Sequence, residues 1–506
     1  MNHLPTGAWN DSGGHRRGNE SLNVLLRQSI DALAQGGPQL AESAAQLKDL
    51  VSRPPRVAVI GRLKSGKSTL VNALTESRIA ATGSLECTMA VSIYEQGAPA
   101  RADIIGLDGQ VSTVPLTGEA LTDLGRPLNE IDHVRQFVPI SRLSTLGIID
   151  TPGTATLTVE NEQRTRRMLI DGALDTKRAS SWADCVVFLS DSAPRDDERA
   201  FLSDLGMTPL TTVGVVSRAD SFGAGAFGYE DPLRQAEKYA GRIAEQLGGN
   251  VEAMVPLSGL LAESALTGRV TGAVARDLAA LSSLDRERLI DFIEADDPDT
   301  VVAGFTAAER DHLLDAMGEY GLVYGRAVAA QQGPAGLLEW MRQTSGIDRL
   351  TAIITQEMPY YATLQRAVRV VDALESLSNA PESRDHVLWV QSVLLSQPDM
   401  GDVMLYRSFK NTVQDSPRST LIPRLRAAIQ GVTPAEKVGL APSTPPAEVV
   451  ERLRGELGEL RELAMTPLSA AEDDARERLI VAYQAAWKQI NGEIRGPAGP
   501  SDVRYT

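Results

Sequence analysis

The chain has 506 residues, 42% of them hydrophobic and 23% charged, enough for two or more domains with real cores. Its net charge of −16 argues against general nucleic-acid binding, which needs a basic footprint. The two cysteines, Cys87 and Cys185, show no metal-ligand spacing, which excludes a disulfide framework or zinc site and fits a reducing cytoplasm.

The first 20 residues have no apolar core of the signal-peptide kind and are expected to be a disordered arm. Residues 21–53 follow helical periodicity. Leu22, Leu26, Ile30 and Leu33 share a face, Gly36-Gly37-Pro38 breaks the run, and Leu40, Leu47 and Leu50 resume it.

From 54 to about 300 short β-branched runs alternate with helical stretches. The runs are 56–60, 89–95, 143–150, 183–190, 210–217 and 251–258. That alternation predicts an α/β domain with a mostly parallel sheet and flanking helices. Residues 102–116, with Asp108-Gly109 between two apolar stretches, predict a hairpin.

Residues 301–497 read as helical. Leu453, Leu457, Leu460 and Leu463 form one stripe, and Leu479, Tyr483, Trp487 and Ile490 another. Helices before and after the α/β domain predict one neck and trunk bundle built from both chain ends. The tail, 498–506, is expected to be loose, and no run of about eighteen apolar residues predicts a membrane span.

Four motifs carry chemistry. VAVIGRLKSGKSTLVNAL, 57–74, is a strand, a loop and a helix, with Gly61, Gly66, Lys67 and Ser68 matching GxxxxGK[ST]. Loop amides and the helix N-terminus suit a phosphate. Lys67 is expected on the β- and γ-phosphates and Ser68 on Mg²⁺. Next, IIDTPG (148–153) ends a second strand. Asp150 is expected near Mg²⁺, and the Gly153 amide on the γ-phosphate. Thr154 follows, so a water-orienting Gln is missing there. Between these motifs a metal-binding switch threonine is expected, Thr88 rather than Thr82, since Thr88 directly precedes a strand.

The third motif, Ser217-Arg218-Ala219-Asp220, is a variant of [NT]KxD. Asp220 would accept from guanine N1–H and the 2-amino group, which adenine does not offer. Arg218 would cover the loop, and Ser217 keeps a hydroxyl. One strand later, Ser258-Gly259 stands where a backbone amide would meet guanine O6. The four in this order predict GTP/GDP and not ATP. Lys64 is one of only eight lysines and lies in the phosphate loop. It is either a cation for transition-state charge or a solvated side chain.

The motif KSGKSTLVNAL, the DTPG turn, the SRAD variant, VPLSGLLA and the segments 319–327, 337–350 and 465–468 resemble the bacterial dynamin-like large GTPases. The nearest group is the actinobacterial isoniazid-inducible one. The resemblance implies a GTPase head, a helical neck and trunk, GTP hydrolysis and GTP-dependent self-association. The partner would be a second copy or a paralogous dynamin-like protein, with membrane lipid a further candidate. It places the protein in the cytoplasm or at the inner face of the plasma membrane. Carried over, Gly61, Lys64, Ser65, Gly66, Lys67, Ser68, Thr69, Thr88, Asp150, Gly153, Arg218 and Asp220 would hold nucleotide or metal. The catalytic residues would be Lys64, Lys67, Thr88 and Gly153. No obvious lipid anchor stands out; 395–409, with Met400, Met404, Leu405, Tyr406 and Phe409, is either a trunk tip or, as such clusters more often are, helix-packing core. The competing reading is a regulatory GTPase that binds a protein partner and never lipid.

Overall fold

The structure, a computed structural model, describes residues 13–62, 64–80, 90–116, 121, 124–151, 183–194, 202, 205–247, 249–295, 297 and 301–495. They divide into two compact units. One runs from Pro54 to Pro359, and the other joins residues up to Arg53 with those from Tyr360 onward.

The first unit is built on a nine-stranded sheet in the order β4-β3-β5-β2-β6-β1-β7-β8-β9. The strands are β1 (Arg56–Gly61), β2 (Ser92–Gln96), β3 (Arg101–Gly106), β4 (Val111–Pro115), β5 (Ile131–Val138), β6 (Gly147–Asp150), β7 (Cys185–Ser190), β8 (Thr212–Ser217) and β9 (Met254–Leu257). The run β6-β1-β7-β8-β9 is parallel. All residues of β1, β6, β7 and β8 are buried, which explains their mostly apolar interiors, with polar residues at the strand ends. β2 runs antiparallel to β6, and β3 with β4 is the expected antiparallel hairpin at the edge. The predicted fold class is therefore borne out.

The sequence reading missed β5. Its buried positions include His133 and Gln136, so the strand never shows as an apolar run. Ala58, Ile60, Ile149, Phe188 and Val216 form a core with Ala240 and Ile243 of the helix Pro232–Gln246.

Residues 301–359, grouped by sequence with the trunk, lie in the sheet unit. Leu313, Met317, Leu322 and Met341 of the helix Ala307–Ser345 share a core with Leu261, Val274 and Leu278. That helix turns non-helical at Gly318 and Gly333.

The second unit is helical. α1 (Gly13–Leu33) begins inside the segment expected as a disordered arm, and α2 (Pro38–Ser52) starts after the predicted break at Gly36-Gly37. Leu26, Ile30, Leu33, Leu47 and Leu50 are fully buried, as are Tyr406, Phe409 and Tyr483. Both C-terminal leucine and aromatic stripes face inward at Leu453, Leu460, Leu479, Tyr483 and Ile490. Of the two readings of 395–409, the structure bears out packing core and not a lipid tip: Met400, Leu405, Tyr406 and Phe409 are buried on the helix Met400–Asp415, and Tyr406 donates to Gln365 at 3.2 Å. A run of exposed apolar side chains lies one helix earlier, at Leu388, Trp389 and Val393 of Arg384–Leu395. Among the described residues no helix is long and apolar enough to cross a membrane.

Candidate nucleotide site

Parallel strands end on one edge, and ligands of such sheets bind beyond those carboxyl ends. Gly61, Asp150, Ser217 and Leu257 end β1, β6, β8 and β9. The sequence motifs therefore converge because the topology puts their strand ends side by side.

The phosphate loop joins β1 to α3 (Lys67–Thr75). Gly61 has φ 156°, and a Cβ there would stand 2.6 Å from the Leu189 carbonyl oxygen. Gly66 is left-handed at φ 93° and directly precedes α3, aiming the first helical amides into the loop. Lys64 also adopts positive φ, 61°, with its side chain exposed. Lys67 is buried and donates to the carbonyls of Gly61 at 3.1 Å and Arg62 at 2.9 Å. Burial lowers its pKa, and Asp150 opposes that shift.

Asp150 meets α3 from β6. Ser68 Oγ donates to its Oδ2 at 3.2 Å, and its Oδ1 is buried without a partner. Burial raises its carboxyl pKa from 3.8 to about 6, against the pull of Lys67, the Ser68 hydroxyl and the Thr151 amide. An orphaned carboxylate oxygen beside a hydroxyl is an oxygen donor set suited to a hard cation, so the residues present fit Mg²⁺. Ser65 Oγ and Ser217 Oγ are likewise buried and unpartnered.

On the base side, Arg218 is left-handed at φ 53° and donates from Nη2 to the Lys64 carbonyl at 2.7 Å. The guanidinium thus ties the SRAD turn to the phosphate loop. Burial raises the Asp220 carboxyl pKa, opposed by hydrogen bonds from its own amide and Ser258 and by the Arg218 charge. Ser258 caps the helix Gly259–Leu266, accepting from the Leu261 amide at 3.4 Å. Gly259 faces Thr69, whose methyl would lie 3.4 Å from a Cβ at that glycine.

Thr82, Thr88 and Gly153 lie outside the described residues. Gly61, Lys64, Ser65, Gly66, Lys67, Ser68, Thr69 and Asp150 gather where β1 and β6 end and α3 begins, and Ser217, Arg218, Asp220, Ser258 and Gly259 where β8 and β9 end. Sequence reasoning missed Tyr320, whose hydroxyl donates to Asp231 at 3.4 Å, and whose helix packs against the turn Ala219–Ser221. Its segment, 319–327, stood out in the sequence only as part of the family resemblance, which says nothing of what that helix supports.

Residues 57–205 match the dynamin family. Isoniazid-induced protein IniC of Mycobacterium tuberculosis is 35% identical over 341 residues, covering 62% of this chain and 65% of that protein. The match thus spans just under two thirds of that relative's length. Translation initiation factor IF-2 of a Synechococcus species is 23% identical over 240 residues, covering 47% of this chain and 16% of that protein. Among solved structures, an oligomerised bacterial dynamin pair linked to long-range sensing and tethering of membranes aligns with TM-score 0.31 and 12% identity. That alignment covers 96% of this chain and 75% of that one. The bacterial dynamin GTPase LeoA from ETEC gives TM-score 0.27 and 12% identity over 100% of this chain and 84% of that one. The family match and the mycobacterial relative bear out the resemblance to bacterial dynamin-like GTPases.

Proposed function

We propose that this chain, whose residues 57–205 match the dynamin family, binds and hydrolyses GTP, self-associates through its nucleotide-binding head and acts at a membrane surface. One observation carries the nucleotide part. The base-reading turn is tied to the phosphate loop by Arg218 on the Lys64 carbonyl, at a sheet edge where Ser65, Asp150 and Ser217 keep unpartnered polar atoms. The guanine edge would meet Asp220 and the Gly259 amide. Lys67 would exchange its loop carbonyls for phosphate oxygens, and the loop amides would take the rest. Ser68, Asp150 and Thr88 would hold Mg²⁺, which neutralises charge on the phosphate oxygens. Gly153 would sense the γ-phosphate. Since Thr154 replaces a water-orienting Gln, a second copy or a paralogue is the expected source of the missing stabilisation. The exposed Lys64 ammonium would add a cation in cis.

The membrane part draws support from Leu388, Trp389 and Val393, which are 41%, 54% and 44% exposed on one helix. A second reading, a cytoplasmic partner-regulated GTPase without lipid activity, draws on the net charge of −16, which opposes docking to an anionic surface.

The test is GTP turnover across a protein concentration series, with and without anionic vesicles, with ATP as control. Specific activity should rise with concentration and again with lipid. Concentration-independent turnover indifferent to vesicles would favour the partner-regulated reading. Equal turnover of ATP would sink the guanine assignment. Lys64→Ala with unchanged turnover would remove Lys64 from catalysis.

A further inference from the structure

Between α3 and the helix Gly259–Leu266 lies a buried polar contact between side chains that none of the four motifs contains as a reading residue. Asn72, fully buried on α3, donates from Nδ2 to Glu263 Oε1 at 2.8 Å. Its other Nδ2 hydrogen goes to the Ala80 carbonyl at 3.2 Å, and its Oδ1 accepts from the Ala80 amide at 2.8 Å. The amide is therefore used on both ends. Glu263, 3% exposed, sits on the helix Gly259–Leu266, and its Oε2 lies 3.8 Å from Arg269.

On the GTP reading, the two helices joined here would meet opposite ends of the nucleotide. α3 begins at Lys67 and Ser68, and the other helix begins at Ser258-Gly259, with Ser258 hydrogen-bonded to Asp220. At their starts they meet through Gly259 and Thr69. A carboxylate in a dry contact costs more than an apolar pair of similar volume would, so mere packing does not call for it.

We infer that Asn72 and Glu263 are positioning residues, a clamp that fixes the spacing between base-reading and phosphate-reading elements and so sets guanine-nucleotide affinity. The inference rests on the GTP reading above and adds what holds that site together. A site held at its bound spacing loses little conformational freedom on binding; a loosened one must be ordered by the ligand.

The experiment measures GDP affinity and dissociation rate with a fluorescent GDP, and the thermal midpoint of nucleotide-free protein. Glu263→Met keeps length and removes the acceptor. It should weaken GDP about 10-fold, mostly through faster dissociation. Glu263→Gln keeps an acceptor for Asn72 and should stay within about twofold of the parent. Asn72→Ala should weaken binding about 30-fold, and adding Glu263→Met should cost nothing more, because the contact is already gone. Should Glu263→Met fail to fold, Glu263→Asp draws the acceptor back by one methylene and should still speed GDP release.

Glu263→Met, or Glu263→Asp in its place, with a lower thermal midpoint but parental affinity and release rate would make the contact merely structural. Independent, multiplying losses in the double variant would also overturn the clamp. If the parent binds GDP in a Lys67-dependent way, such results remove the clamp and leave the GTP reading standing. A parent that binds no guanine nucleotide removes both.

Discussion

At the scale of single residues, Asp150 has a titration that reports its role. Its carboxyl pKa is raised from 3.8 to about 6, so the fold favours the protonated form. The stability this group contributes is fully present below pH 3.8 and is lost as pH rises through about 6, a swing on the order of 3 kcal/mol. Cation binding prefers the carboxylate and works in the opposite direction. Two curves follow for parent and Asp150→Asn. The parent's thermal midpoint without nucleotide should fall relative to the variant's as pH rises from 3.8 to about 6 and level off above that. Its affinity for GDP with Mg²⁺ should rise over the same interval while the variant's stays flat. Parallel curves would remove Asp150 from the cation site. Arg218 makes a different case. The motif [NT]KxD puts a lysine at this position, yet here a guanidinium stands there and finds the Lys64 carbonyl at 2.7 Å. Arg218→Ala should weaken GDP about fivefold, a modest figure because the side chain is exposed, and Arg218→Lys should recover most of it. Equal losses in both variants would show that the planar head, not the tether, matters.

At the scale of elements, the strand-loop-helix at 56–75 was legible because three requirements coincide in sequence: an apolar strand, glycines at fixed spacing and a helix start. Gly61 shows the cost of breaking one of them. A Cβ would press on a backbone oxygen at 2.6 Å, which cannot swing aside as a side chain can. Gly61→Ala should lose nucleotide binding by at least about 10-fold and lower the thermal midpoint of nucleotide-free protein; parental values for both would show that β1 can shift to make room. β5 was illegible for the converse reason. Its inward positions include His133 and Gln136, and its register is set by β2 and β3 on either side, which no local pattern encodes. The Met400–Phe409 cluster stayed ambiguous in sequence for a third reason. Apolar residues at helical spacing announce a face but not whether it is covered, and here helix packing covers it. The exposed apolar residues on Arg384–Leu395 looked no different in sequence. Likewise Asn72 and Glu263, 191 positions apart, read as ordinary helix residues until the fold joins them.

At the scale of the molecule, chain order and physical unit diverge. The helical unit joins both ends of the chain, as the two amphipathic runs predicted, but the long helix Ala307–Ser345 belongs to the sheet unit because its apolar face meets Leu261, Val274 and Leu278. Each unit has its own buried core, and nucleotide would contact residues of the sheet unit alone. Ligand stabilises the element it binds by mass action, about 2.7 kcal/mol at a hundredfold excess over Kd. Calorimetry should therefore resolve two transitions, and GDP with Mg²⁺ should raise only one of them. Lys67→Ala should abolish that shift and leave the other transition in place. If instead a single transition moves as a whole, the two cores melt together, and nucleotide occupancy in the sheet unit then governs the stability of the helical unit as well.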